Sequence, residues 1–72
     1  MKSSLKSATS SLSKRVRERR KALGLTQEDL AALAGIDRTY ASQIERKVAN
    51  PSLGIICALA DVLECEVADF FR

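Results

Sequence analysis

Along most of this chain apolar residues return every three to four positions, the spacing of a helix face, and no segment carries a strand signal. Leu12, Val16 and Leu23 fall on one such face, with Ser11 or Ser13 placed to cap its start and Gly24 to stop it. Thr26 opens a second helix, Gln27 to Ala34. Its hydroxyl can take the amide of Asp29, while Glu28 and Asp29 oppose the positive end of the helix dipole. Leu30, Ala31, Leu33 and Ala34 are the apolar set of this helix, and Gly35 ends it. Asp37 caps a third helix, Arg38 to about Lys47, that turns Ala41 and Ile44 inward and Arg38, Thr39, Ser42, Gln43 and Arg46 outward. Asn50 and Pro51 break the chain and start a fourth helix, since proline suits the first helical position. Leu53, Ile56, Leu59, Ala60 and Leu63 give that helix a buried stripe. A last helical turn, about Val67 to Phe71, completes five short helices. The pattern predicts an all-α fold, a compact five-helix bundle.

Composition narrows this. At 72 residues the chain makes one domain with a thin core, because so short a chain buries only about 60% of its unfolded surface. Hydrophobic residues, 46%, are ample, whereas aromatic residues, 4%, are too few for a large aromatic core or a base-stacking platform. The interior is expected to be Leu, Ile, Val and Ala. Residues 1–10, rich in Ser and Lys, read as a flexible tail, and residues 11–72 as the folded domain.

Several chemistries drop out. There is no His, and Cys57 and Cys65 alone cannot assemble a zinc set. The two are expected to be reduced thiols, with Cys57 acting as a small hydrophobe in an apolar run. No Gly-rich phosphate loop and no nucleophile with a base at recognisable spacing is present, so no enzyme is expected, and no cofactor. No run approaches the roughly 20 apolar residues of a membrane span, and the first thirteen residues lack the apolar stretch of a secretory signal. The net charge of +3 hides a marked asymmetry: residues 1–23 carry eight Lys/Arg and one acid, residues 24–72 four Lys/Arg and eight acids. Such a distribution suggests a polyanionic partner.

The segment from Gln27 to Arg46 gives that partner a form. Two short helices meet at a tight turn, Ala34-Gly35-Ile36-Asp37, where Ala31 is small enough for close approach and Gly35 can take a left-handed conformation. A B-DNA major groove, about 12 Å wide, admits one helix, and a partner helix crossing the backbone can hold that helix at its angle. Leu25-Thr26-Gln27-Glu28-Asp29-Leu30-Ala31, followed by Ala34-Gly35-Ile36 and Ile44-Glu45-Arg46, resembles the Cro/CI-type (XRE-like) helix-turn-helix family. The resemblance covers about residues 12–71 and implies a lambda-repressor-like DNA-binding domain. Asp37 to Arg46 with Asn50-Pro51-Ser52-Leu53 is similar to the controller proteins of restriction–modification systems.

The resemblance implies roles position by position. Arg38, Thr39, Ser42 and Gln43 match base-facing positions, where Arg pairs with a guanine edge and Gln with adenine. Gln27 matches a phosphate-clamping glutamine at a helix N-terminus, or else is simply an exposed first-turn residue. Tyr40 either packs beneath the reading helix or reaches a phosphate. Arg46, Lys47 and Asn50 either approach the DNA backbone or compensate the helix C-terminus. Arg20 and Glu45 match a structural ion pair that orients the reading helix, while Arg17, Arg19 and Lys21 are expected in solvent. Two departures stand out: Glu64 holds a position that is often Gly, and Glu66 one that is often Ser or Thr.

A module this small covers too little DNA for tight specific binding, so a homodimer on a palindromic operator is expected. Its glue is either Ile55, Val62 and the terminal Phe70 and Phe71, or those side chains thicken a monomer's core. The functional reading is a sequence-specific double-stranded DNA-binding regulator in the cytoplasm of a bacterium or encoded by a phage. It binds neither membrane nor small-molecule effector. The tail is either inert or an arm reaching the minor groove. The competing readings are a phage-type or chromosomal repressor, and an antitoxin or adaptor module that mainly binds a protein.

Overall fold

The computed structural model describes residues 4–72. Among them lie four α-helices, α1 (Leu5–Ala22), α2 (Gln27–Ala34), α3 (Arg38–Glu45) and α4 (Leu53–Val62), then a 3-10 helix, Val67–Phe71, and no strand. The expected fifth α-helix is thus a 3-10 element, as befits a five-residue run with little room for i→i+4 bonds. Helix α1 packs on α3 and the 3-10 helix, and α2 on α3 and α4. Leu12, Val16, Leu30, Ile44, Ala49, Leu59, Ala60, Leu63 and Phe70 form the shared core.

Each α-helix starts with a polar cap. The hydroxyl of Thr26 accepts from the Asp29 amide at 2.9 Å, and the Asp29 carboxylate accepts from the Thr26 amide at 3.0 Å. Those bonds to Thr26 hold the Asp29 carboxyl below its ordinary pKa. Asp37 accepts from the Thr39 amide at 3.0 Å, and Ser52 from that of Ile55 at 3.3 Å.

The four α-helices also end alike. A residue in the left-handed conformation is followed by one whose amide donates five residues back: Leu25 to Arg20, Ile36 to Ala31, Val48 to Gln43 and Cys65 to Ala60. Gly24 and Gly35 hold the left-handed position in the first two, but Lys47 (φ 68°) and Glu64 (φ 58°) hold it in the others. Glu64, at a position that is often Gly, therefore carries left-handed strain, and Lys47 shares it.

Several expected positions move. Helix α1 starts at Leu5, capped by the Ser4 hydroxyl accepting from the Ser7 amide, so residues 5–10 are helical and not a tail. Residues 1–3 of the expected tail lie outside the described residues. Ser11 and Ser13 do not cap it, because their hydroxyls donate across the fold, to the carbonyls of Phe70 at 2.7 Å and Glu45 at 2.6 Å. Helix α3 stops at Glu45, two residues short of Lys47. Pro51 precedes the cap of α4 rather than occupying its first turn. Leu53, the first residue of α4, is 69% exposed and outside the buried stripe, and Leu23, at the end of α1, is 36% exposed. Glu66 places no side chain on its helix end; instead the Asp69 carboxylate accepts from the Glu66 amide at 2.9 Å. Cys57 is exposed, not a small core hydrophobe, while burial pushes the half-buried Cys65 thiol up in pKa. Neither cysteine is in a disulfide.

Candidate nucleic-acid interface

Helices α2 and α3 with the Gly35 turn form the presenting unit. Leu30 and Ala31 of α2 and Ala41 and Ile44 of α3 are buried, which fixes the two helices together and leaves the opposite face of α3 outward. On that face Arg38 and Thr39 are exposed at the start of α3, and Ser42 and Gln43 lie half-buried one turn on. Arg38 has no hydrogen-bond or ion-pair partner among the described residues. The Tyr40 ring is half-buried and packs against the core. Arg46 folds back so that its Nε donates to the Ser42 hydroxyl at 3.3 Å. Lys47 and Asn50 are exposed beyond the helix.

What holds α3 in place converges on Glu45. Its carboxylate accepts from Arg20 Nε at 2.7 Å and Arg20 Nη2 at 2.9 Å, a bidentate pair between α1 and α3 with both groups nearly buried. Arg20 Nη1 donates in addition to the Leu25 carbonyl at 2.9 Å. Gln27 Nε2 donates to the same carboxylate at 3.2 Å, so the first residue of α2 is tied to the last residue of α3. The Glu45 backbone carbonyl, an orphan at the helix end, accepts from Ser13 and from Arg17 Nη1 at 3.2 Å. Burial raises the Glu45 pKa, but the hydrogen bonds from Arg20 and Gln27 and the charges of Arg20 and Arg17 outweigh it and hold the carboxyl below its ordinary value. The hydrogen bond to Glu45 raises the pKa of Arg20 against its own burial.

Two of these supports, Ser13 and Arg17, are not legible as site residues from motif alone. A signal existed: Ser13, Arg17 and Arg20 are spaced by four and three, one polar stripe beside the apolar face of Leu12 and Val16. Arg17 and Arg19 are not in solvent as expected; Arg19 donates through Nε and Nη2 to the Leu63 carbonyl at 3.2 and 2.9 Å, the end of α4. Of the residues considered for a subunit contact, Phe70 is fully buried and has no surface to offer, Ile55 and Val62 are half-buried, and Phe71 is 42% exposed.

Among the described residues no cluster of three or more His, Cys, Asp or Glu is arranged to hold a metal ion, and no helix is long and apolar enough to cross a membrane. The family model described as Helix-turn-helix matches residues 16–70. Control protein C.SmaI of Serratia marcescens is 39% identical over 56 residues, covering 78% of this chain and 67% of that protein. The restriction–modification controller protein C.AhdI from Aeromonas hydrophila superposes with a TM-score of 0.83 at 43% identity, covering 88% of this chain and 96% of that one. SinR, a master regulator for biofilm formation solved in complex with DNA, superposes with a TM-score of 0.80 at 31% identity, over 85% of this chain and 98% of that one. With a clamped α2–turn–α3 unit inside the matched span, the chain belongs to the Cro/CI-type (XRE-like) helix-turn-helix family of DNA-binding transcription regulators.

Proposed function

We propose that this chain is a homodimeric controller of a restriction–modification operon that regulates its own promoter from a palindromic operator. The observation that carries the reading is the outward face of α3, with Arg38 unpartnered at its start and Glu45 locked at its end. A helix fixed at one end and free at the other is preorganised to enter a major groove N-terminus first. In this reading Arg38, Thr39, Ser42 and Gln43 meet base edges. Gln27, the Tyr40 hydroxyl, Arg46, Lys47 and Asn50 meet phosphates and set the register. Gln27 is well placed for both tasks, since one amide hydrogen held by Glu45 leaves the other free.

Two copies related by a two-fold axis would read half-sites about 34 Å apart. Exposed Leu53 and Phe71, with half-buried Ile55 and Val62, supply apolar surface near α4 for that contact. The folded unit then starts at the beginning of α1, acts in the cytoplasm, and is controlled by its own concentration rather than by a small-molecule effector. Selection of sites from random duplex DNA at fixed salt tests the reading, with Arg38→Ala alongside. A palindromic motif that loses one base preference in the variant is the expected result. Weak, purely salt-dependent binding without a motif would overturn it and favour a protein-binding adaptor.

A further inference from the structure

We propose that the first two turns of α1 carry a second contact to the DNA backbone, shared with the loop after α3. This rests on the regulator reading above and adds to it a surface outside the helix-turn-helix. Lys6, on the opening turn of α1, and Lys47, just past the end of α3, line one concave groove of about 420 Å³ together with Leu5, Thr9 and Ser10. No acidic residue borders that groove, and neither lysine has an ion-pair partner among the described residues. Two free ammonium groups with two hydroxyls beside them suit a phosphodiester, which offers a negative charge and acceptor oxygens.

Independent features place these turns deliberately. Their seat is the second and third turns of α1, where the Ser11 hydroxyl donates to the Phe70 carbonyl at 2.7 Å and Leu12 is buried, beside a smaller cleft of about 110 Å³ bordered by Leu5, Ala8, Pro51, Ile56 and Phe71. That seat keeps Lys6 beside the C-terminal end of the reading helix instead of swinging free. Lys47 meanwhile occupies a left-handed position that α1 and α2 fill with Gly24 and Gly35. The family model matches residues 16–70, so Lys6 lies outside the matched span.

Titration of a selected operator duplex and of a scrambled duplex, across a salt series, decides the matter. Lys6→Ala is expected to weaken binding several-fold on both duplexes alike, to lower the log–log salt slope by about 1 for each copy bound, and to leave the selected motif unchanged. Lys6→Arg should retain affinity and slope, and the melting temperature of Lys6→Ala should match the wild type. Wild-type binding with an unchanged slope in Lys6→Ala would overturn this contact while leaving the regulator reading intact. A wild-type protein that binds no motif would remove both.

Discussion

Helices α1 and α3 both carry arginines, and they use them in opposite directions. Arg15, Arg17, Arg19 and Arg20 of α1 donate to the carbonyls of Arg72, Glu45, Leu63 and Leu25, most of them at the ends of other helical elements. Arg15, Arg17 and Arg19 thus sit at helix ends where the dipole is negative and a carbonyl lacks an intrahelical partner, while Arg20 ties the loop carbonyl of Leu25 to Glu45. Arg38 of α3 sits at the positive end of its own helix, exposed and without a partner among the described residues. The concentration of charge in residues 1–23 therefore marks, in large part, internal scaffolding, whereas the cation-poor remainder of the chain carries the candidate reading face. A charge count locates a polyanion only after the helix ends have been served.

The comparison breaks most severely at Glu45. Glu45→Ala leaves the Arg20 guanidinium buried without its carboxylate and frees Gln27, and should destabilise the fold by about 3–5 kcal/mol, measured by urea unfolding. Operator binding would then fall because α3 is no longer held. Acid breaks the same pair more gently. With its folded pKa held below the ordinary value, Glu45 contributes fully above about pH 4.3. That contribution is lost as the pH falls through the lower folded value. Melting temperatures recorded between pH 7 and pH 3 should decline in that acid range, and Glu45→Gln should flatten the decline.

Arg38→Ala is the opposite experiment, with no scaffold to lose. It should reduce operator affinity by about 1–3 kcal/mol in a binding titration, with an unchanged melting temperature, since Arg38 is exposed and unpaired. If the melting temperature fell as well, the distinction between the two sets of arginines would fail. Ser13→Ala sharpens it from the other side. Removing one of two donors to the Glu45 carbonyl should destabilise by about 1 kcal/mol without altering the selected motif. The smallest effect belongs to Glu64→Gly, which should stabilise by about 0.5–1 kcal/mol by relieving a left-handed side chain, seen as a modest rise in melting temperature.

Helix-by-helix, what the amino-acid order revealed was local. Thr26, Asp29 and Asp37 cap where their side chains can reach an amide two or three residues away, and Gly24 and Gly35 end helices where the chain must turn left-handed. The bounds of α2 and the start of α3 follow from those residues alone. The candidate reading face was legible for the same reason, because Ala41 and Ile44 facing in leave Arg38 and Thr39 facing out on an eight-residue helix. The start of α1 was not. Ser11 and Ser13 have the chemistry of caps, and only contact with segments 59 and 32 residues away shows them donating to Phe70 and Glu45 instead.

Tertiary structure alone settled the rest. Adjacent Phe70 and Phe71 are the same side chain to any reading of composition, yet one fills the core and the other is 42% exposed. Leu53 kept the helical spacing of its neighbours, yet as the first residue of α4 it is 69% exposed. Hydrogen bonds spanning two to five residues are dictated by the residues between them, so sequence determined the capped turns and the helix-turn-helix. Partners brought together from 18 to 59 residues apart, Gln27 with Glu45 and Ser11 with Phe70, depend on how the helices pack, and no local pattern encodes them.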